Sequence, residues 1–215
     1  MIVSRQKPFD ELLAQLDGSQ RIFLVGCAKC ATVCKSGGEE EIWKMQESLA
    51  AVGKEVTGSL IIDEACHMLR AQRDLRGKKD MVEDADAFLV LACGAGVQSV
   101  SSSLDKKTVA GLDTLFLGNI LRFGQFEQRC SLCGTCLLTR TGGICPVTAC
   151  PKGLLNGPCG GMDQGHCETS PEKECAWVQI FQRLQRQGAE AALQNSVAPK
   201  DYSSCRSPRS LKLDR

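Results

Sequence analysis

The stretch RIFLVGCAKCATVCKSGGEEE, residues 21–41, decides the reading of the fold. Its first six residues form a short continuous apolar run ending in glycine, as expected of a strand buried on both faces. Three cysteines follow within eight residues, Cys27, Cys30 and Cys34, and a polar turn then opens a helix. Ser36 and Glu39 have the S-x-x-E spacing of a capping box. Three glutamates stand where the helix dipole favours negative charge, and Gly53 can end the helix. Ile42, Met45, Leu49 and Val52 recur at steps of three and four, which gives this helix one buried face.

The same alternation continues on both sides. EVTGSLIID (55–63) reads as a second strand, EACHMLRAQRDL (64–75) as a second helix, ADAFLVLAC (85–93) as a third strand and DTLFLG (113–118) as a fourth. A helix over residues 8–16, with Phe9, Leu12, Leu13 and Leu16 on one side, would cover a sheet edge. Strand–helix–strand repetition implies a parallel sheet wrapped by helices, here a Rossmann-like α/β domain over residues 1–120. Past residue 119 the pattern dissolves into a Cys-rich, loop-dominated region, 121–195. CAWVQIFQRLQRQG (175–188) closes it as a C-terminal helix, with Trp177, Ile180, Phe181 and Leu184 on one face and Trp177 and Phe181 turned inward. Residues 196–215 read as a loosely ordered polar tail.

Composition excludes several classes of function. The chain has 215 residues, with 26 Lys and Arg against 25 Asp and Glu, a net charge of +1. That balance leaves no electrostatic footprint for nucleic acid and no polybasic patch for a membrane. Ten aromatic residues are too few for base-stacking platforms. The N-terminal residues lack the apolar run of a secretory signal, and no stretch approaches the length of a membrane span, so a cytoplasmic protein is expected. Reduced thiols are the rule there. Fourteen cysteines beside two histidines therefore read as metal ligands rather than as disulfide staples, which a chain of this size does not need.

The cysteines form two constellations. Cys27, Cys30 and Cys34 follow the first strand, Cys66 lies past the second and Cys93 ends the third. Ligands of open parallel sheets gather outside the carboxyl ends of the strands. Four of these thiolates, Cys27, Cys30, Cys34 and Cys93 with Cys66 as a substitute, would make an all-cysteine site for a [4Fe–4S] cluster or zinc. A phosphate cradle in the same loop is disfavoured, because G-x-G-x-x-G is absent and cysteines fill the turn.

The second constellation is Cys130, Cys133, Cys136, Cys145, Cys150, Cys159, Cys167 and Cys175, eight cysteines in 46 residues. C-x2-C-x2-C with later Cys-Pro pairs, Cys145–Pro146 and Cys150–Pro151, is the spacing style of bacterial ferredoxins. Eight thiolates suffice for two sites of four: two [4Fe–4S] clusters, or one cluster and one structural zinc. So few apolar residues in this region leave bound metal to supply its folding energy. His67 and His166 read as ordinary residues, although His166 beside Cys167 could replace one thiolate. Cys205 reads as a bystander, and Asp63–Glu64 as helix caps. No G-x-S-x-G, P-loop or H-E-x-x-H pattern occurs, so the chemistry is confined to metal–sulfur groups, as in an electron conduit.

GCAKCATVCKSGGEEE, LVLACGAGVQ and TGGICPVTACPKGLLNGPCGG followed by CAW resemble the small iron–sulfur or zinc-containing subunit of bacterial, acetogen-type methylenetetrahydrofolate reductases, over roughly residues 20–185. The resemblance implies a non-catalytic redox subunit of the Wood–Ljungdahl pathway. It also implies a partner: a flavin-containing catalytic subunit that reduces 5,10-methylene-tetrahydrofolate to 5-methyl-tetrahydrofolate. In some complexes, heterodisulfide-reductase-like electron-bifurcating subunits join it. Two to three [4Fe–4S] clusters, or zinc in one site, are the cofactors implied.

Overall fold

The computed structural model describes residues 1–213. The chain divides into two compact units, Met1–Phe126 and a second beginning at Glu127. In chain order the first unit runs β1 (Ile2–Gln6), α1 (Phe9–Gln15), β2 (Arg21–Cys27), α2 (Cys30–Val33), α3 (Glu39–Ala51), β3 (Glu55–Ile62), α4 (Met68–Arg76) and α5 (Lys79–Asp84). It continues through β4 (Ala87–Leu91), α6 (Gly94–Ser101), β5 (Lys107–Ala110) and β6 (Leu112–Arg122), and β7 (Gln125–Cys130) carries the chain across the boundary.

The core sheet is parallel, in the order β3-β2-β4-β5. Its two central strands are the most apolar segments of the chain. Ile22, Phe23, Leu24 and Val25 of β2 and every residue of β4 are buried, because helices cover both faces. Phe23 and Phe88 meet across these strands with ring centroids 5.4 Å apart. Leu12 and Leu16 lie fully buried in the same core, with Phe9 and Leu13 packed against it, as the apolar side of the first helix requires. The order sets β2 between β3 and β4. Its direction reverses between β2 and β4, so the crevice lies at their carboxyl ends.

Several expectations need correction. The fourth parallel strand is not DTLFLG but the four-residue β5; DTLFLG belongs to β6, which pairs antiparallel with β1, from Gln6 opposite Leu112 to Ile2 opposite Leu117. Gly111 separates β5 from β6, and a Cβ there would stand 2.2 Å from Leu91 Cδ2. Both β1 and β5 are too short to show a period, so each needs its neighbour to exist.

Ser36 does not cap α3. Its hydroxyl donates to the Ala31 carbonyl at 3.2 Å and lies 3.0 Å from Ser4 Oγ, while Gly38 is the cap, its N–H donating to the Glu41 carboxylate at 2.9 Å. Glycine is required beside it, since a Cβ on Gly37 would lie 2.0 Å from the Leu91 carbonyl oxygen. Ile42, Met45 and Leu49 are buried as the spacing requires, but Val52 is exposed. Asp63 and Glu64 do not cap α4 either. Both bind Arg70, each at 3.0 Å, and Asp63 also pairs with Lys29 at 2.9 Å; the cap is His67, whose Nδ1 accepts from the Arg70 amide.

The second unit contains α7 (Pro146–Ala149), β8 (His166–Cys167), β9 (Ser170–Glu174) and α8 (Ala176–Arg186). Trp177, Ile180 and Leu184 of α8 are buried with Cys175, and the Trp177 indole N–H donates to the Leu154 carbonyl at 3.0 Å. Phe181 departs from the expected face and is half exposed. Near the start of the tail, Val197 is held by Asn156. Asn156 Nδ2 donates to the Val197 carbonyl at 2.8 Å, and the Val197 N–H donates back to Asn156 Oδ1 at 2.7 Å. Among the described residues no helix is long and apolar enough to cross a membrane.

Candidate metal centres

At the strand ends of the first unit, Cys27 is the last residue of β2 and is buried, Cys30 opens α2, and Cys93 is the N-cap of α6. Cys66 lies in the loop between β3 and α4. Gly96 lets α6 come close to that loop, since a Cβ there would stand 3.1 Å from Ala65 Cβ, and Ser99 Oγ donates to the Cys66 carbonyl at 3.2 Å. Burial pushes the Cys66 thiol up, and the nearby thiols of Cys93 and Cys27 push it further. Cys27 stands at the carboxyl end of β2, Cys93 follows that of β4, and Cys66 follows that of β3. The Cys34 thiol is directed instead to the Ile2 carbonyl, 3.8 Å away on β1.

In the second unit the eight cysteines separate into two groups of four. Cys130, Cys133, Cys136 and Cys145 line one cavity of about 180 Å³. Cys150, Cys159, Cys167 and Cys175 line another, of about 10 Å³. The division follows chain order, with the first Cys-Pro pair closing one group and the second opening the next.

Local structure explains how each group is held. In the first group, Leu132 has φ +56°, a left-handed conformation that a branched side chain rarely adopts, and its amide donates to Cys130 Sγ at 3.4 Å. The C-x2-C turn thus aims a backbone N–H at the sulfur of its own first cysteine. Pro146 takes the first position of α7 beside Cys145, where its missing N–H costs nothing. The Cys133 thiol is held below its ordinary range, chiefly by the Lys200 ammonium, whose Nζ lies 2.8 Å from Cys133 Sγ.

In the second group, Cys167 is likewise held low by the Thr169 hydroxyl and backbone amide. Cys159 donates to Glu168 Oε1 at 3.1 Å, and Lys152 forms an ion pair with the same carboxylate, holding it below its usual range. Cys175 is buried at the start of α8, and Trp177 borders the cavity. His166 is exposed on β8, while its neighbour Cys167 lines the cavity.

No disulfide joins any of the cysteines from Cys27 to Cys175. Among the described residues no group of three or more His, Cys, Asp or Glu side chains stands close enough together to hold a metal ion. The fit to a metal group rests on the donor chemistry: four thiols around each of two cavities, all-sulfur sets that suit an iron–sulfur cluster or zinc and no hard cation. Lys200, Glu168 and the left-handed Leu132 escaped sequence reasoning. Glu168 adjoins Cys167 and could have been suspected, whereas nothing local marks Lys200.

Two units are thus defined: an α/β unit with cysteines at the carboxyl ends of its parallel strands, and a small unit in which eight cysteines line two cavities, four in each. Residues 109–203 match the model of a family described as "Methylene-tetrahydrofolate reductase C terminal". The match relates this stretch to the methylenetetrahydrofolate reductases. It contains both tetrads and none of Cys27, Cys30, Cys34, Cys66 and Cys93. No curated protein and no solved structure matches the chain.

Proposed function

We propose that the chain is the electron-transferring iron–sulfur subunit of a methylenetetrahydrofolate reductase complex. It relays electrons to or from the flavin of a separate catalytic subunit. The observation that carries this reading is the sorting of eight cysteines into two cavities of four within the matched stretch. The cofactors are [4Fe–4S] clusters, one in each tetrad, with the strand-end thiols as a third site. A cluster of this kind supplies a one-electron carrier whose potential is set by hydrogen bonds, charge and burial. The chain's own residues provide those settings. The Leu132 amide and the Lys200 ammonium point at sulfur in the first tetrad, and Trp177 shields the second from water.

The partners are the flavin-containing subunit and, in larger assemblies, heterodisulfide-reductase-like bifurcating subunits. The chain acts without nucleic acid or membrane, in the cytoplasm. Anaerobic purification with iron, sulfide and zinc analysis tests the reading. The expected product is brown, with about eight iron and eight sulfide per chain from the two tetrads, and about twelve of each with the strand-end site filled. It should turn over methylene-tetrahydrofolate only when the flavin subunit is added.

A second reading has its own observation. The cavity between Cys150, Cys159, Cys167 and Cys175 is barely larger than a water molecule, a size suited to a single tetrahedral zinc. In that case this tetrad is structural, and the subunit docks and steadies its partner through it. A colourless, zinc-loaded and fully folded chain would replace the relay with this role.

A further inference from the structure

The tail crosses the first tetrad. Lys200 lines the same cavity as Cys130, Cys133, Cys136 and Cys145, and donates both to Cys133 Sγ and to the Thr135 carbonyl. Four further hydrogen bonds fasten this segment. Asn156 grips the Val197 backbone at two points upstream of Lys200. Downstream, Cys205 Sγ and Arg209 Nη1 both donate to the Leu132 carbonyl, at 3.5 and 3.4 Å, in the turn whose amide points at Cys130. The other cation at the cavity wall, Arg129, is paired with Glu127. The acid beside Lys200, Asp201, is engaged by the Ser203 amide and hydroxyl.

Four thiolates around either a [4Fe–4S] core or a zinc ion leave a surplus of negative charge on the centre. We propose that Lys200 is the counter-charge of the first cysteine centre, delivered by a tail strap over residues 197–209 that Asn156 fastens. The proposal rests on the tetrad reading and goes beyond it by assigning a positioning residue that acts through Cys133. One added electron makes the centre more negative still. A fixed ammonium at hydrogen-bond distance from a ligand sulfur then favours the reduced form and raises the midpoint potential.

The test compares the full chain with K200M, K200R and N156A, purified anaerobically. Each is titrated with dithionite as the electron donor and followed by visible absorption, and metal loss to excess EDTA is timed. K200M should keep its metal content, show a lower midpoint potential and release metal several-fold faster. K200R should restore both properties, and N156A should fall between. Wild-type potential in K200M, or an equal fall in K200M and K200R, would overturn the counter-charge. Zinc without iron in the wild type would remove the electron relay but leave this proposal testable, because EDTA release still separates K200M from K200R.

Discussion

The two units solve the folding problem with different materials. The first buries twenty-five side chains in one continuous cluster, including the fully enclosed Phe23, Phe88, Leu24 and Leu89 of its central strands. The second buries four in its cluster, Cys175, Trp177, Ile180 and Leu184. Apolar burial of about 25 cal/mol per Å² can hold the first unit together unaided, whereas so small a core ordinarily needs a metal or a crosslink. No disulfide joins any of the cysteines from Cys27 to Cys175, so under the proposed function thiolate-bound metal supplies the missing stability and the second unit folds only with it.

Removing the metal should separate the units most sharply. Exhaustive chelation of the full chain should shift the emission of buried Trp177 to the red and make the region after residue 127 sensitive to protease. The far-ultraviolet signal of the sheet and helices of the first unit should persist. If both units melted together, or neither changed, the contrast drawn above would fail.

Cys133→Ser and Cys159→Ser sharpen the contrast within the second unit. Each should lose the metal of its own tetrad, roughly half of that bound by the two tetrads, and keep the other's. A single substitution that emptied both tetrads would show them to be one site. In the first unit Phe88→Ala removes a ring that packs 5.4 Å from Phe23. It should cost about 3–5 kcal/mol by denaturant titration with metal content unchanged.

The smallest effect concerns acid. Asp86 accepts from the amides of Gln20 and Arg21, at 2.9 and 2.7 Å, and these bonds hold its carboxyl below its usual value. A lowered folded-state value means that the stabilisation is present above the unfolded carboxylate range, near pH 4. It is lost as pH falls through the lower folded value. Asp86→Asn should therefore flatten the stability of the first unit below about pH 4. An unchanged acid limb would show that these hydrogen bonds contribute nothing.

Long, strongly patterned segments were legible without coordinates. β2 and β4 announce themselves as apolar runs, α3 by the spacing of Ile42, Met45 and Leu49, and α8 by Trp177, Ile180 and Leu184. Segments that depend on a neighbour were not. β1 exists because β6 lies beside it, and β5 because β4 does. Ser36 carried the right residue type for a cap, yet the closeness of Gly37 to the Leu91 carbonyl placed the helix start two residues later. The same division runs through the sites. Cysteine spacing led to the expectation of eight ligands for two sites, but it left open which four cysteines line which cavity.

What this amino-acid order determined unaided is local: which runs are apolar, which turns carry thiols, and that the second half has too little hydrocarbon to bury. Tertiary structure decided everything that depends on distance through space. It set α6, which Cys93 caps, against the Cys66 loop, divided four cysteines from the other four, and carried a lysine from position 200 to the sulfur of Cys133. The physical reason is range. Periodicity and capping act over a few residues of chain, whereas a charge or a thiol acts over a few ångströms, whatever the length of chain between.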